Sequence, residues 1–323
     1  MSLTNKAEYQ NVRLAIGDPN RDVRLTLLSQ LNPFGFRGVL HSDELRYIRN
    51  AVIKDSVDLI IFDEILDKSF SNFVNDIRHQ RIGNNPFIII IATTNHLTAE
   101  KVKRLTDAGV DDVIGKPLSV SKLMERVQTI AKSRKPFVVT TDYTGPDRRK
   151  GFRPGRQEVP LIDAPNPLVY LMGKPKTKLE IAEIISEAST VVNEQKMERH
   201  AFQIGFLINR ILPLYKSDDT DDINIDDIDH LIAVSNDINS RLEGSRYSGA
   251  SALCKSMVDL ADRVRLLHPS PKHKDLELMP ELSQAIQLAF LSEDEDTSSV
   301  QEIVDNLNQQ SKATIPDNKT VAS

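Results

Sequence analysis

Residues 57–63 read Val57-Asp58-Leu59-Ile60-Ile61-Phe62-Asp63. A run this apolar is typical of a strand that is buried on both faces of a parallel sheet. Asp63 then falls at the carboxyl end of the strand, which is the edge where open α/β sheets place their chemistry. The stretch therefore predicts an α/β fold, a doubly wound parallel sheet with a carboxylate at its functional edge.

Two other predicted strands end in charged side chains. Residues 12–17 are followed by Asp18, and residues 112–115 are followed by Lys116. The carboxyl ends of parallel strands meet at one edge, so we expect Asp18 and Lys116 to lie close to Asp63. The two carboxylates are hard oxygen ligands that suit Mg²⁺, and the lysine can neutralise phosphoryl oxygens. This set of groups predicts an aspartate that accepts a phosphoryl group.

A hydroxyl at the end of one more strand completes the set. Residues 87–92 form another apolar run, which is followed by Thr93 and Thr94. A threonine at this edge can donate a hydrogen bond to a phosphoryl group. The spacing to Lys116 favours Thr94 for this role.

The order and spacing of these residues are similar to those of a known protein family. Residues 10 to about 132 resemble the receiver domain of bacterial two-component response regulators. The resemblance is carried by Gly17-Asp18, Asp63, the pair Thr93-Thr94, and the run from Ala108 to Pro117. It implies a flavodoxin-like sheet of five parallel strands with helices on both faces, phosphorylation of an aspartate by a histidine kinase, and dependence on Mg²⁺.

The resemblance also implies roles for individual residues. Asp63 would be the phosphoacceptor, and Thr94 and Lys116 would act on the phosphoryl group. Asp18, Asp63 and the backbone of Ile65 would hold Mg²⁺. The expected partner is a sensor histidine kinase or a phosphotransfer protein.

The chain departs from the family pattern in ways that leave an alternative open. Gly17 stands where the family usually has the first of two acids, so we expect weak Mg²⁺ binding that Gly17→Asp would strengthen. Val113 stands where an aromatic switch residue commonly precedes the lysine. The alternative is a receiver fold that takes no phosphate and serves as a scaffold.

Length, charge and composition limit the number of domains and the classes of function that we expect. A length of 323 residues suggests two domains, and the net charge of −5 gives no general attraction to nucleic acid, so no DNA binding is expected. No apolar run approaches the roughly 20 residues of a membrane span. Cys254 is the single cysteine and cannot form an intramolecular disulfide. We expect a cytoplasmic protein.

The sequence pattern predicts four regions along the chain. These are a receiver domain at 1–132, a proline-rich basic linker at 133–177, a helical output bundle at 178–292 and a mostly disordered tail at 293–323. Seven of the 16 prolines fall in the linker, at positions 136, 146, 154, 160, 165, 167 and 175. Such a density disfavours a long helix or a central strand and favours extended, semi-rigid backbone.

The linker carries a cluster of basic residues, namely Arg148, Arg149, Lys150, Arg153 and Arg156. Arg148-Arg149 with Arg153 has the spacing that opens the cyclic-di-GMP-binding PilZ domain, but no second motif follows. The other interpretation is a solvated basic arm that docks on acidic surface. We expect such an arm to couple the receiver to the bundle.

The carboxy-terminal part is predicted to be helical. Apolar residues recur at helical spacing along 181–192, 202–212, 228–242, 253–267 and 279–290. Three to five helices should close into a bundle that works through contacts with a downstream protein partner. No combination of nucleophile, base and orienting group suggests an enzyme.

One stretch of the bundle resembles the active helix of histidine-containing phosphotransfer domains. It runs from Ser240 through Gly244 to Gly249, with Ser240 where that family has its histidine. Either the bundle is a degenerate phosphotransfer domain, or the two glycines only permit close helix approach or a helix break. His200 lies on another predicted helix and is expected to be a surface or partly buried residue.

Overall fold

The structure is a computed structural model that describes residues 8–149, 160–172, 174–216 and 225–291. The chain divides into two units, residues 1–192 and residues 193–323. The predicted tail at 293–323 lies outside the described residues, as do Lys150, Arg153 and Arg156 of the basic cluster.

The first unit contains a sheet of five parallel strands in the order β2-β1-β3-β4-β5. Its strands are β1 (Leu14–Gly17), β2 (Leu40–Ser42), β3 (Leu59–Asp63), β4 (Ile89–Thr94) and β5 (Asp112–Gly115). The connecting helices are α1 (Arg21–Leu31), α2 (Leu45–Ile53), α3 (Phe70–Arg78), α4 (Ala99–Ala108) and α5 (Val120–Lys132). The predicted doubly wound sheet is confirmed.

Side chains that alternate along the central strands divide the core into two halves, one on each face of the sheet. Leu59 and Ile61 of β3 pack with residues of α1 and α5. Ile60 and Phe62 pack on the other face, with residues of α2, α3 and α4. Because successive side chains of a strand point to opposite faces, the residue number decides which helices a strand-end side chain meets.

The segment after α5 is folded, which corrects the prediction of an extended linker. It forms an antiparallel sheet in the order β7-β6-β8 and then a short helix. The elements are β6 (Phe137–Val139), β7 (Thr144–Pro146), β8 (Leu161–Ile162) and α6 (Pro167–Leu171). The prolines are tolerated because Pro146 ends an edge strand, Pro167 begins a helix, and the central strand has none.

A buried carboxylate anchors this segment to the five-stranded sheet. Asp111 accepts a hydrogen bond from Arg78 at 2.8 Å and another from Arg134 at 3.0 Å. Both guanidinium groups lie over the ring of Phe137, at 5.2 and 5.1 Å from its centroid. Arg78 has no exposed side-chain surface. Its burial lowers its pKa to about 10, so it stays charged at neutral pH.

Backbone carbonyl groups satisfy the remaining donors of these two arginines. Arg78 donates to the carbonyls of Gly109 at 2.8 Å and Ile88 at 2.7 Å. Arg134 donates to the carbonyl of Phe87 at 2.7 Å. Asn166, at the start of α6, donates to the carbonyl of Ile130 at 2.8 Å and so pairs a group at the end of α5. The segment therefore completes hydrogen bonds of the receiver sheet and its last helix.

The carboxy-terminal part of the chain is helical, as predicted. Its helices are α7 (Lys178–Lys216), α8 (Ile225–Arg241), α9 (Ser251–Leu266) and α10 (His273–Leu291). Two stretches predicted as separate helices, 181–192 and 202–212, belong to the single helix α7. Pro280 lies inside α10. None of the described helices is long and apolar enough to cross a membrane.

The stretch that resembles a phosphotransfer helix is interrupted. α8 ends at Arg241, and Gly244 has a φ of +73°, which glycine adopts without strain. A Cβ atom at Gly244 would meet nothing within 4 Å, so this glycine does not serve close helix packing. The geometry therefore fits the second interpretation, in which the glycine breaks the helix.

His200 is more buried than expected. Its Nε2 atom lies 2.9 Å from Asp237 Oδ2, and its side chain is 6% exposed. Gln203 lies 3.2 Å from its other ring nitrogen. Burial opposes ionisation of Asp237, but His200 and Arg241 outweigh it and hold the pKa of that carboxyl well below its usual range. His200 therefore joins α7 to α8 and is not presented to solvent.

The anchoring role of Asp111 can be tested against its neighbour. Asp111→Asn should lower the free energy of unfolding of the first unit by about 3 kcal/mol, because it leaves two buried guanidinium groups without a counter-charge. The control is Asp112→Asn, since Asp112 faces a half-exposed Arg126 at 3.6 Å. That change should cost less than about 1 kcal/mol.

Urea denaturation of the two variants measures both free energies of unfolding. Pulsed hydrogen exchange in β4 and β5 reports the unfolding of the first unit. Equal losses for the two variants would mean that Asp111 does not anchor the folded segment.

Candidate functional site

Three predicted site residues meet at the carboxyl edge of the parallel sheet. Asp63 is the last residue of β3, Asp18 directly follows β1, and Lys116 directly follows β5. The Lys116 Nζ atom lies 2.6 Å from Asp18 Oδ2 and also contacts Asp63 Oδ2. Both carboxylate side chains are almost fully buried. One ammonium group thus holds two carboxylates from strands on either side of the topological switch point.

Local hydrogen bonds fix the orientation of these groups. Asp18 Oδ1 accepts from the Asn20 N–H at 2.8 Å, and Asp63 Oδ1 accepts from the Ile65 N–H at 2.9 Å. Burial opposes the charge of Lys116, but its hydrogen bonds to the two aspartates outweigh burial and raise its pKa. Lys116 is therefore a fixed positive charge at neutral pH.

The hydroxyl that faces Asp63 belongs to Thr93, which corrects the choice of Thr94. Thr93 is the register partner of Asp63, and its Oγ1 lies 3.5 Å from Asp63 Oδ2. Thr94 points to the other face of the sheet, where its hydroxyl donates to Glu64. The spacing to Lys116 favoured Thr94, but the register between β3 and β4 places Thr93 opposite Asp63.

Glu64 is a site residue that the sequence analysis missed. Its carboxylate is 2% exposed and accepts hydrogen bonds from Lys101 at 2.7 Å, from Arg104 and from the Thr94 hydroxyl. Burial opposes its ionisation, but these donors outweigh burial and lower the pKa of Glu64. Glu64, Thr94, Lys101 and Arg104 form a group that we name the Glu64 clamp. The clue in the sequence was the alternation of side chains along β3, because residue 64 lies on the same face of the sheet as Ile60 and Phe62.

Asp18 and Asp63 are the type of ligand that a hard divalent cation prefers. Asp18 and Asp63 supply oxygen donors, and the loop residue Ile65 is hydrogen-bonded to one of them. Among the described residues, no group of three or more His, Cys, Asp or Glu side chains is arranged to hold a metal. The ammonium of Lys116 contacts the same two carboxylates.

The proposed remedy for weak metal binding, Gly17→Asp, is contradicted by the packing. A Cβ atom at Gly17 would lie 2.6 Å from Ile48 Cδ1 and 2.7 Å from Phe62 Cδ2. Gly17 therefore faces the core formed with α2 and α3, on the opposite side from the carboxylate cluster. A side chain there would disturb the core rather than supply a ligand.

The basic cluster is only partly available for binding or coupling. Arg148 donates to the backbone carbonyls of Val110 and Asp111, so it fastens its own segment to the receiver sheet. Arg149 forms an ion pair with Asp147 at 2.9 Å. Arg148 therefore has a structural role, and the coupling role of the basic cluster stays a prediction.

The five-stranded fold and the cluster at its edge define a receiver-type domain. The amino-terminal part, about 40% of the chain, is related to response regulators. Over 126 residues the chain is 25% identical to the response regulator MprA of Mycobacterium bovis, a match that covers 39% of this chain and 53% of MprA. The chain thus spans about half the length of this curated relative. No protein-family model matches it.

Solved structures of response regulators are also similar to this part of the chain. An orphan response regulator of H. pylori is 21% identical, with a TM-score of 0.33, over 37% of this chain and 96% of that chain. A response regulator from Thermotoga maritima is 21% identical, with a TM-score of 0.34, over 38% of this chain and 99% of that chain.

The ion pairs of Lys116 predict a pH-dependent loss of stability on its removal. Because its pKa is raised in the folded state, Lys116 stabilises the protein at every pH below the ordinary lysine value of about 10.4. Lys116→Met should lower the free energy of unfolding by about 3 kcal/mol at pH 7, since two buried carboxylates lose their cation. The loss should persist up to about pH 9 and shrink only as the pH rises through the raised pKa of Lys116.

Thermal unfolding at pH 7.5 and pH 9, with and without Mg²⁺, checks this expectation. Mg²⁺ should raise the melting temperature of Lys116→Met more than that of the wild type, because the competing ammonium is gone. The control is Lys122→Met, which removes an exposed lysine of α5. A Lys116→Met loss no larger than that of Lys122→Met would show that the ion pairs do not stabilise the fold.

Proposed function

We propose that this chain is a response regulator whose receiver domain is phosphorylated on Asp63. The observation that carries the proposal is the buried Asp63 carboxylate with Asp18 and Lys116 against it. A fully buried carboxylate beside a fixed cation at the carboxyl edge of a parallel sheet serves no evident packing purpose. It suits the transfer of a phosphoryl group, in which negative charge has to be offset.

The transfer would proceed by in-line displacement. An Asp63 carboxylate oxygen attacks the phosphorus atom of a phosphohistidine or an acyl phosphate, and a new oxygen–phosphorus bond forms. The bond from phosphorus to the donor nitrogen or oxygen breaks, and its electron pair leaves with the donor group. Lys116 neutralises the phosphoryl oxygens, and the Thr93 hydroxyl donates a hydrogen bond to one of them.

The same residues would hold the cation that this chemistry uses. Asp18, Asp63 and the backbone of Ile65 would bind Mg²⁺, which offsets phosphoryl charge when it is bound. Lys116 contacts the same two carboxylates, so metal binding and the position of Lys116 are expected to be linked.

A second candidate function is favoured by a specific observation. Lys116 already neutralises both carboxylates, and Gly17 leaves only one acid at the end of β1. A receiver fold with these features could serve as a scaffold that takes no phosphate. The two functions differ in one measurable property, which is the chemical state of Asp63 after exposure to a donor.

The carboxy-terminal helices are proposed to act as an output module through protein contacts. Phe202 and Phe206 of α7 are 55% and 64% exposed. They are spaced one helical turn apart, as in helix faces that bind other proteins. The proposed partners are a histidine kinase or phosphotransfer protein for the receiver and a further protein for the helices. A cytoplasmic location remains a prediction.

Phosphorylation can be measured by the intact mass of the chain. After incubation with acetyl phosphate and Mg²⁺, the wild type should gain the mass of one phosphoryl group, and Asp63→Asn should gain none. The matched control is Asp67→Asn, which changes an aspartate of the following loop whose carboxylate accepts only from Ser69. It should be phosphorylated like the wild type.

Two outcomes would contradict the proposal. An unchanged wild-type mass with acetyl phosphate, carbamoyl phosphate and a phosphorylated histidine kinase would establish the scaffold function instead. A mass gain that persists in Asp63→Asn would place the phosphoryl group on another residue.

A further inference from the structure

The helix α4 is weakly anchored by apolar contacts. Of its ten residues only Leu105 and Ala108 are buried, and both lie in its second half. By contrast, the nine residues of α3 bury Phe70, Phe73, Val74 and Ile77. The first half of α4 therefore needs another attachment to keep a fixed position on the sheet.

The Glu64 clamp supplies that attachment. Lys101 lies in the first half of α4 and Arg104 at its middle, and both bind the carboxylate of Glu64 at the end of β3. Thr94, at the end of β4, donates to the same carboxylate. Charge-assisted hydrogen bonds to a buried acceptor are among the stronger polar contacts. Strands β3 and β4 are thus joined to α4 through one carboxylate.

Glu64 is also directly linked to the candidate phosphorylation site. It follows Asp63 in the chain, and its N–H donates to the Thr93 carbonyl at 3.0 Å. The Asp63–Thr93 pair and the Glu64–Thr94 pair are therefore consecutive rows on opposite faces of the sheet. Any shift of the loop that starts at Asp63 moves the acceptor on which α4 depends.

We propose that Glu64 is a positioning residue that fixes the first half of α4 to the sheet, and that phosphorylation of Asp63 releases this half. The second clause rests on the proposed function. A phosphoryl group with a charge of about −1.5 to −2 at neutral pH replaces the single negative charge of the Asp63 carboxylate, and so adds net negative charge next to the buried Glu64. It also draws the Thr93 hydroxyl and the Ile65 N–H toward new oxygens, and so pulls on the backbone that carries Glu64. Both effects weaken the Glu64 clamp and free Lys101 and Arg104.

Hydrogen exchange of residues 99–108 tests the proposal in the full chain. Glu64→Gln keeps the shape of the side chain and removes its charge, so exchange in α4 should accelerate at least tenfold, which corresponds to about 1.4 kcal/mol. The matched control is Asp107→Asn, which removes one carboxylate from an exposed pair with Lys103 on the same helix. It should exchange as the wild type does.

Exchange in α5 separates a local release from general destabilisation. If Glu64→Gln accelerates exchange in α4 and leaves α5 unchanged, the positioning role is supported. The double variant Lys101→Gln with Arg104→Gln breaks the Glu64 clamp from its solvent side and should give the same pattern, which covers the case in which Glu64→Gln fails to fold. Wild-type exchange of α4 in either variant, or equal acceleration in α5, would overturn the role.

Phosphorylation gives the second arm of the test. Acetyl phosphate with Mg²⁺ should accelerate exchange of α4 in the wild type and add nothing in Glu64→Gln. A wild type that gains phosphate without any change in α4 would overturn the coupling and leave the proposed function intact. A wild type that gains no phosphate would overturn the proposed function and with it the coupling, while the unphosphorylated Glu64→Gln result would still decide the positioning role.

Discussion

The register between β3 and β4 is the constraint on which the candidate site depends. It pairs Asp63 with Thr93, and so the next row consists of Glu64 and Thr94. Since side chains alternate across a sheet, the first row meets Lys116 and the second meets α4. Two neighbouring acids thereby acquire different surroundings. Asp63 contacts Lys116 at the sheet edge, and Glu64 binds two basic residues of α4.

Charge balance explains why both acids can be buried. An isolated carboxylate in a protein interior takes up a proton rather than stay charged. Asp63 has the ammonium of Lys116 beside it, and Glu64 has two cations of α4. Each acid is compensated by basic residues from a different part of the chain. The arrangement makes the electrostatic state of the edge depend on three separate elements, which are β5, α4 and the ends of the central strands.

Most of the fold and part of the site could be predicted from the sequence. Apolar runs with polar ends are sufficient to locate parallel strands and to bring Asp18, Asp63 and Lys116 to one edge. Register is not encoded in such runs, so the choice between Thr93 and Thr94 could not be made from spacing alone. The contacts of Gly17 were equally hidden, because which face it lies on depends on the position of the strand relative to α2. Glu64 looked like an ordinary loop residue.

The prolines of residues 133–177 predicted extended backbone because of their number, and that prediction was wrong. Their positions turned out to matter more, since Arg134, Phe137 and Asn166 complete the hydrogen bonding of the parallel sheet and of α5. A receiver cut after Lys132 would lose these partners and expose Arg78 and Asp111. The first 132 residues are therefore not a self-contained unit that could be transferred unchanged to another protein. The compact unit extends to residue 192, and Met172 packs against the same core.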